Sequence, residues 1–330
     1  MPFKHNAAHR HRIPQQKFRV KNWPESDAGL RQRGSITFWI SEAANSGWLA
    51  PRRTTPGGQS RYSDLAIETS LMCGIVFHQP LRQTEGLMTS LLQLMGLDRP
   101  VPDHTTLSRR CSSLSLSKDL VRHKTAALDD PIHILVDSTG LKIYGAGQWP
   151  EDKHGSKSPR EWCKLHLAVD ADTGEIFAEV LSDQNSSDIS QITDLLEQID
   201  RPVASFAADG AYDSDETYRS LRHHSPGVSI IVPPRARLLP ENIYGPPDQR
   251  DWHSRTIAEH GRMRWQAITN YGRRSNVETT MGRYKSVIGN HLRSRTSANQ
   301  QTEIKLACRI LNRMLTSARP DSVRVKDLSL

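Results

Sequence analysis

The chain has 330 residues, longer than one ordinary domain of about 100–200, and its 36% hydrophobic and 24% charged content is enough for a sizeable core without disulfide staples. Lys and Arg number 44 against 36 Asp and Glu, a net charge of +8 in which 32 of the basic residues are arginine, so a phosphate-bearing polymer is the first partner class. No apolar run approaches the roughly 18 residues of a membrane span, no signal peptide opens the chain, and Cys73, Cys111, Cys163 and Cys308 form no CxxC pair, which counts against a membrane protein, a disulfide scaffold and a cysteine zinc site and leaves a cytoplasmic location as the expectation.

Residues 1–35, with His5, His9, His11 and several Arg and Lys, lack apolar periodicity and read as a basic flexible arm whose histidines are solvated. A helix is expected from Ile36 to Leu49, then a breaker-rich loop from Pro51 to Gly58. Leu65, Met72, Ile75 and Val76, then Leu81, Met88, Leu91, Leu92 and Met95, recur at helical spacing. Asp103 opens a third helix as its cap, with Leu107, Cys111 and Leu114 on one face and Thr105, Ser108, Arg109 and Ser112 on the other. Residues 36–131 therefore read as an α-helical domain. Its last two helices are candidates for a helix-turn-helix that would bring Arg109 and Arg110 to DNA, although the Gly96–Pro102 connection is longer than the usual three or four residues.

The texture changes at Ile132. Ile132, Ile134 and Val136 alternate toward Asp137, and Leu141 and Ile143 follow a Ser-Thr-Gly turn. A polar loop over Gly145–Arg160 leads to a strand through Cys163, Leu165, Leu167 and Val169, a turn at Asp170–Gly174 and a returning strand over Ile176–Leu181. The turns are too short for crossover helices, so these three strands are expected to be antiparallel. Then come a helix over Ser187–Ile199, a strand over Val203–Ala208, a helix over Asp215–His224 and a strand over Val228–Val232. Residues 235–269 read as an insertion rich in Pro, Arg and Trp, followed by final helices over Tyr271–Gly289 and Gln300–Ser317. The order β-β-β-α-β-α-β-α describes a mixed sheet in which the first and fourth strands lie side by side.

Charge is unevenly laid out. Residues 1–131 carry +7, residues 132–234 carry −9 and residues 235–330 carry +10, an acidic centre between basic flanks that suits a divalent-metal site between nucleic-acid-gripping segments. Asp137 ends the first strand of the sheet and Asp209 follows the fourth, in Val-Asp-Ser-Thr-Gly and Ala-Asp-Gly-Ala-Tyr-Asp. Farther on, Tyr271, Arg274, Glu278, Met281 and Lys285 are spaced three, four, three and four apart and share one helix face. Lys142 and Lys164 are weaker phosphate candidates, Asp170 and Asp172 read as turn residues, and His166 reads as packing.

Together these residues resemble the DDE transposases of bacterial insertion sequences, in the branch of insertion-sequence families four and five with a Tyr-x2-Arg-x3-Glu-x6-Lys signature. Tyr271, Arg274, Glu278 and Lys285 match that signature with no change of spacing, and the stretches around Asp137 and Asp209 resemble its two aspartate motifs. The resemblance implies an α/β chain: a ribonuclease H-like mixed-sheet catalytic core over 132–330, interrupted by the insertion at about 235–269, behind an α-helical N-terminal DNA-binding domain. It implies that Asp137, Asp209 and Glu278 are catalytic and hold two Mg²⁺ ions, with Mn²⁺ able to substitute. Such ions take oxygen ligands, so carboxylates suffice without His or Cys. Tyr271, Arg274, Lys285 and, more weakly, Lys142 would meet DNA phosphates. Trp252 and Trp265 would stack on an unpaired base near a transposon end. The implied activity is cleavage at terminal inverted repeats and 3′-hydroxyl transfer into target DNA, by a homodimer acting on double-stranded DNA in the bacterial nucleoid. A structure-selective nuclease on the same core and a non-catalytic DNA-binding regulator derived from a transposase are the alternatives, the latter disfavoured by the intact carboxylate set.

Overall fold

The computed structural model describes residues 18–54, 56–116, 130–143, 162–235 and 248–325. The histidines of the N-terminal arm and the loop expected over Gly145–Arg160 lie outside these residues.

The described residues begin with a short strand β1 (Phe18–Val20) and helix α1 (Trp23–Arg33). Residues 18–33 are thus structured rather than part of a free arm. Their order comes from the far end of the chain, which sequence periodicity does not report. The Asn22 side chain donates to the Arg319 carbonyl at 2.8 Å and accepts from the Asp321 amide at 2.6 Å, and Arg33 donates to Ser317 Oγ at 3.0 Å and the Ala318 carbonyl at 2.7 Å. Gly29 faces Ala318 so closely that an added Cβ would lie 2.3 Å from the Ala318 Cβ.

The single helix expected over 36–49 is two short ones, α2 (Ile36–Trp39) and α3 (Glu42–Ser46). Ile40 is extended, and Ser41 starts the second helix by accepting the Ala44 amide at 3.2 Å. Helices α4 (Asp64–Val76), α5 (Leu81–Leu94) and α6 (His104–Cys111) follow as expected, with Asp103 capping the last by accepting the Thr105 and Thr106 amides at 2.9 Å.

Next come β2 (Ile132–Ile143), β3 (Trp162–Asp170), β4 (Ile176–Asp183), a 3₁₀ turn over Ile189–Gln191 with α7 (Ile192–Leu196), β5 (Val203–Ala207), α8 (Asp215–His224) and β6 (Ser229–Ile231). The sheet order is β4-β3-β2-β5-β6. The first three strands are antiparallel, whereas β5 and β6 run parallel to β2. The expected adjacency of the first and fourth strands holds. The expected Ser-Thr-Gly turn after Asp137 does not: β2 runs unbroken through it, because β3 pairs with it from Ile134 to Lys142, so Asp137 sits in mid-strand.

The proposed insertion contains a long helix, α9 (Gln249–Ile268). It carries a capping box between Asp248 and Asp251, and Gln249 joins it to the strand end at β6 by donating to the Val228 carbonyl at 2.8 Å and accepting the Ile230 amide at 2.6 Å. Gly261, at φ 77°, breaks the helix midway, which scrambles the period a sequence would show. A 3₁₀ turn (Tyr271–Arg274) then enters α10 (Ser275–Val287), so the expected helix over Tyr271–Gly289 begins as a tighter turn. Strand β7 (His291–Leu292) returns to pair with the far end of β2, helix α11 (Ser297–Ser317) crosses the sheet, and β8 (Ser322–Arg324) pairs with β1.

Each face of the sheet is covered. Ile132, Ile134 and Val136 point to one side and bury against α7 and α8 with Leu195, Tyr218 and Leu221. Leu135 and Leu141 point to the other, where α10 and α11 pack in one continuous core with Trp39, Trp48, Ile67 and Leu107 of the N-terminal helices. Asn312 of α11 bonds the Ile176 amide and carbonyl at 2.9 and 2.8 Å, fixing that helix to β4. Among the described residues no helix is long and apolar enough to cross a membrane.

Candidate active site

On one edge of β2, β5 pairs with residues 132–135 and β7 with residues 142–143, leaving a gap between them. Asp137 lies in the stretch of β2 that borders that gap. Leu135 lies in register with Ala207 at the end of β5, so Asp137 and Asp209 each lie two residues beyond a matched pair on neighbouring parallel strands. Asp209 also caps the 3₁₀ turn Gly210–Tyr212, accepting the Ala211 amide at 2.8 Å. Gly210 packs closely there: an added Cβ would stand 3.2 Å from the Pro233 carbonyl oxygen.

Alternation along β2 puts Asp137 on the same face as Leu135 and Leu141, the side covered by α10. Glu278 reaches the site from the first turn of that helix. Arg274 ties the two together: its Nη1 donates to Asp137 Oδ2 at 3.1 Å and its Nη2 donates to Glu278 Oε1. Asp137 and Arg274 are four-fifths buried while Glu278 is half exposed, so the site opens on the Glu278 side. Burial raises the Asp137 carboxyl above its ordinary value, with the negative charge of Asp209 adding to the rise and the Ser138 amide and Arg274 opposing it. Burial disfavours the Arg274 charge, but Tyr271, Asp137, Glu278 and Asp209 outweigh it and the guanidinium stays protonated.

Tyr271 is held from behind. The Arg274 guanidinium carbon lies 6.0 Å from the Tyr271 ring centre, and that ring lies 5.1 Å from the ring of Trp265. Trp265 is fully buried and donates its indole N–H to His253 Nδ1 at 2.9 Å, while His253 Nε2 donates to the Ile230 carbonyl at 2.6 Å. Those two bonds assign the tautomer and keep His253 neutral, and burial lowers its pKa. Trp265 is therefore not available to stack on a base; its enclosure in the α9 core corrects that expectation. Trp252, on the same helix, is 46% exposed and remains accessible.

The other expected contacts distribute unevenly. Lys285 is exposed on α10 about 10 Å along the helix from Glu278. Lys142 lies on the opposite face of β2 from Asp137 and about 16 Å along the strand, outside the site. Lys164 is on that opposite face too, bonded to Asp188 at 3.1 Å and the Ser186 carbonyl at 2.7 Å. Arg110 spends its guanidinium within the helical layer, on Asp64 at 2.5 Å and the Tyr62 carbonyl at 3.1 Å, whereas Arg109 is exposed. Asp170 closes its turn by accepting Thr173, Asp172 pairs with Arg273, and His166 is buried against Ser182, as turn and packing residues should be.

Three neighbours escaped the sequence reading. Asp188 accepts Ser138 Oγ at 3.1 Å from the far face of β2; it falls inside the helix expected over Ser187–Ile199 and is instead the residue ahead of the 3₁₀ turn. Tyr212 is buried with Asp188, Asp137 and Asp209 all close enough to raise its pKa, after burial itself. Asp213, 1% exposed, accepts Arg250 Nε at 2.8 Å and the Arg235 amide at 2.8 Å, and Arg235 returns to the Gly210 carbonyl at 2.7 Å. These bonds pin α9 to the turn that carries Asp209. Tyr212 and Asp213 stand with Asp209 in the Ala-Asp-Gly-Ala-Tyr-Asp stretch, the signal the sequence holds for them.

Asp137, Asp209 and Glu278 offer only carboxylate oxygens, the donor type a hard divalent cation takes. Among the described residues no three His, Cys, Asp or Glu side chains converge tightly enough to enclose an ion, and between Asp137 and Glu278 stands Arg274.

A family model described as a transposase DDE domain matches residues 129–313, and a second with the same description matches residues 31–146. Among solved structures, a piggyBac transposase in a synaptic complex with hairpin DNA is similar at 11% identity and a TM-score of 0.42, covering 92% of this chain and 77% of that one.

Proposed function

The chain belongs to the DDE-domain transposases, and we propose that it is the transposase of an insertion sequence in the branch marked by the Tyr-Arg-Glu-Lys signature, with Asp137, Asp209 and Glu278 as the catalytic carboxylates. The observation that carries this reading is the double contact of Arg274, which draws carboxylates 137 and 278 together, with Asp209 two residues past the last matched pair of β2 and β5.

Residues 132–330 are read as a ribonuclease H-like core and the N-terminal helices as its DNA-binding part, with Arg109 as their exposed basic candidate. The three carboxylates would hold divalent metal, Mg²⁺ with Mn²⁺ as substitute. When bound, the metal lowers the pKa of an attacking water and neutralises charge on the leaving oxygen. On this reading Arg274, once released from the two carboxylates, would clamp a phosphate beside the scissile bond bidentately, and Lys285 would meet the next one as a point charge. Tyr271, backed by Trp265, fixes the side on which Arg274 can lie. Hydrolysis breaks a P–O3′ bond and leaves a 3′-hydroxyl and a 5′-phosphate. The 3′-hydroxyl then attacks a target phosphodiester, losing its proton while the departing target 3′-oxygen gains one. A homodimer pairing two ends supplies both cuts.

The test is to incubate the purified chain and Mg²⁺ with labelled DNA carrying the element's terminal repeats and a supercoiled target. Cleavage at the repeat ends to 3′-hydroxyls, followed by covalent joining to the target, is expected. Cleavage governed by DNA branching and indifferent to the repeats would instead assign a structure-selective nuclease.

A further inference from the structure

We propose that Arg274 is an internal counter-cation, a guanidinium that occupies the place of the metal in the free protein and yields it only when the site is loaded. This rests on the reading of Asp137, Asp209 and Glu278 as metal ligands and adds to it a control on when they bind metal.

The geometry is that of a bridge. One guanidinium uses Nη1 on Asp137, from mid-β2, and Nη2 on Glu278, from α10. The contact with Glu278 alone would be an ordinary pair four residues apart on one helical segment. The contact with Asp137 is not explained that way, since it spans 137 residues and joins helix to sheet in a four-fifths-buried setting. Without it, two carboxylates would face each other and a third across the gap in β2, and like charges so placed repel. One guanidinium against three carboxylates still leaves the site negative, so a divalent cation remains attracted.

Arg274 is also built to leave. It stands where the 3₁₀ turn passes into α10, and the Tyr271 ring lies alongside its guanidinium. A rotation of the side chain on the Glu278 side, where the site is open, moves it from the carboxylates toward a phosphate while the backbone stays in place. The displaced charge then meets the phosphate whose ester bond is to be cut. Metal and DNA thereby favour each other: each removes the competitor that the other must overcome, and such coupling is reciprocal. A protein that must lose Arg274 to gain its metal is poorly loaded until DNA is seated.

Mn²⁺ binding to the full chain without DNA, followed by loss of the free-ion electron paramagnetic resonance signal, tests this directly. Arg274→Gln is expected to bind Mn²⁺ about tenfold more tightly than the wild type. Arg274→Lys, which keeps the charge but not the fork, falls between them and serves if the glutamine variant does not fold. Wild-type affinity equal to or above that of both variants overturns the proposal. The double variant Asp137→Asn/Arg274→Gln separates the two levels: it should lose the tight site. If it binds as Arg274→Gln does, the metal is elsewhere and the assignment of the carboxylates fails; if Asp137→Asn alone abolishes binding while Arg274→Gln changes nothing, only the role of Arg274 fails.

Discussion

His166 sits on β3 directly across from Ser138, one residue from Asp137, with Nε2 on Ser182 and Nδ1 without a partner. Burial pushes its pKa down to about 4. Because the folded value lies below that of an exposed histidine near 6.5, the unfolded chain takes up the proton first as pH falls. Stability is therefore lost between about pH 6.5 and pH 4, and this residue accounts for on the order of 3 kcal/mol of that loss. Urea unfolding of His166→Gln across this range should show a visibly flatter acid limb; a slope identical to that of the wild type would remove His166 as the cause. At the same scale, the catalytic candidates divide by how they announce themselves. Arg274 and Glu278 were legible as neighbours because a four-residue helical step converts spacing into a shared side, and the two are bonded. Asp188 was not, since only the fold brings its loop beneath Ser138.

Helix α9 shows what an element adds. Its two tryptophans look alike in sequence, but one supports Tyr271 and the other faces solvent. Trp265→Ala should cost about 3–5 kcal/mol of stability, as large buried aromatics do, with cleavage falling because Tyr271 loses its backing. Trp252→Ala should change stability by less than about 0.5 kcal/mol, yet lower affinity for unpaired transposon-end DNA by about 1–3 kcal/mol if it stacks there. Thermal unfolding alongside fluorescence-anisotropy binding distinguishes them, and an unchanged affinity for Trp252→Ala would remove its DNA role. The helix itself was hidden from the sequence because a glycine kink at 261 divides its period and its anchors, Gln249 and Arg250, act through distant partners. The sheet was easier to read: alternation in β3 and β4 is local, and the adjacency of β2 and β5 follows from the order of elements.

At the scale of the molecule, the helices before residue 116 and the α10–α11 side of the sheet bury a single core, with Trp39, Ile67 and Leu107 joined to Leu141, Tyr284 and Leu311. Arg309 of α11 donates to the buried Glu68 at 2.9 Å, and Thr302 to the Cys111 carbonyl at 2.8 Å. A change of composition at Ile132 marks where strands begin, but packing does not follow it. Removing residues 1–130 should therefore leave a chain without a cooperative urea transition; a sharp transition in the truncated protein would show that the sheet folds independently. End recognition by the N-terminal helices is accordingly tested by substituting exposed Arg109 rather than by truncation.

The most direct measurement of the central claim is DNA cleavage with Mg²⁺ by Asp137→Asn, Asp209→Asn and Glu278→Gln, each compared with the wild type for cleavage rate and for DNA binding. Each substitution should reduce cleavage by at least about a thousandfold, the scale of losing a principal charge-stabilising group, while DNA is still bound. Cleavage near the wild-type rate in any one of the three would contradict the assignment of that carboxylate and, with it, the shared site at the gap in β2.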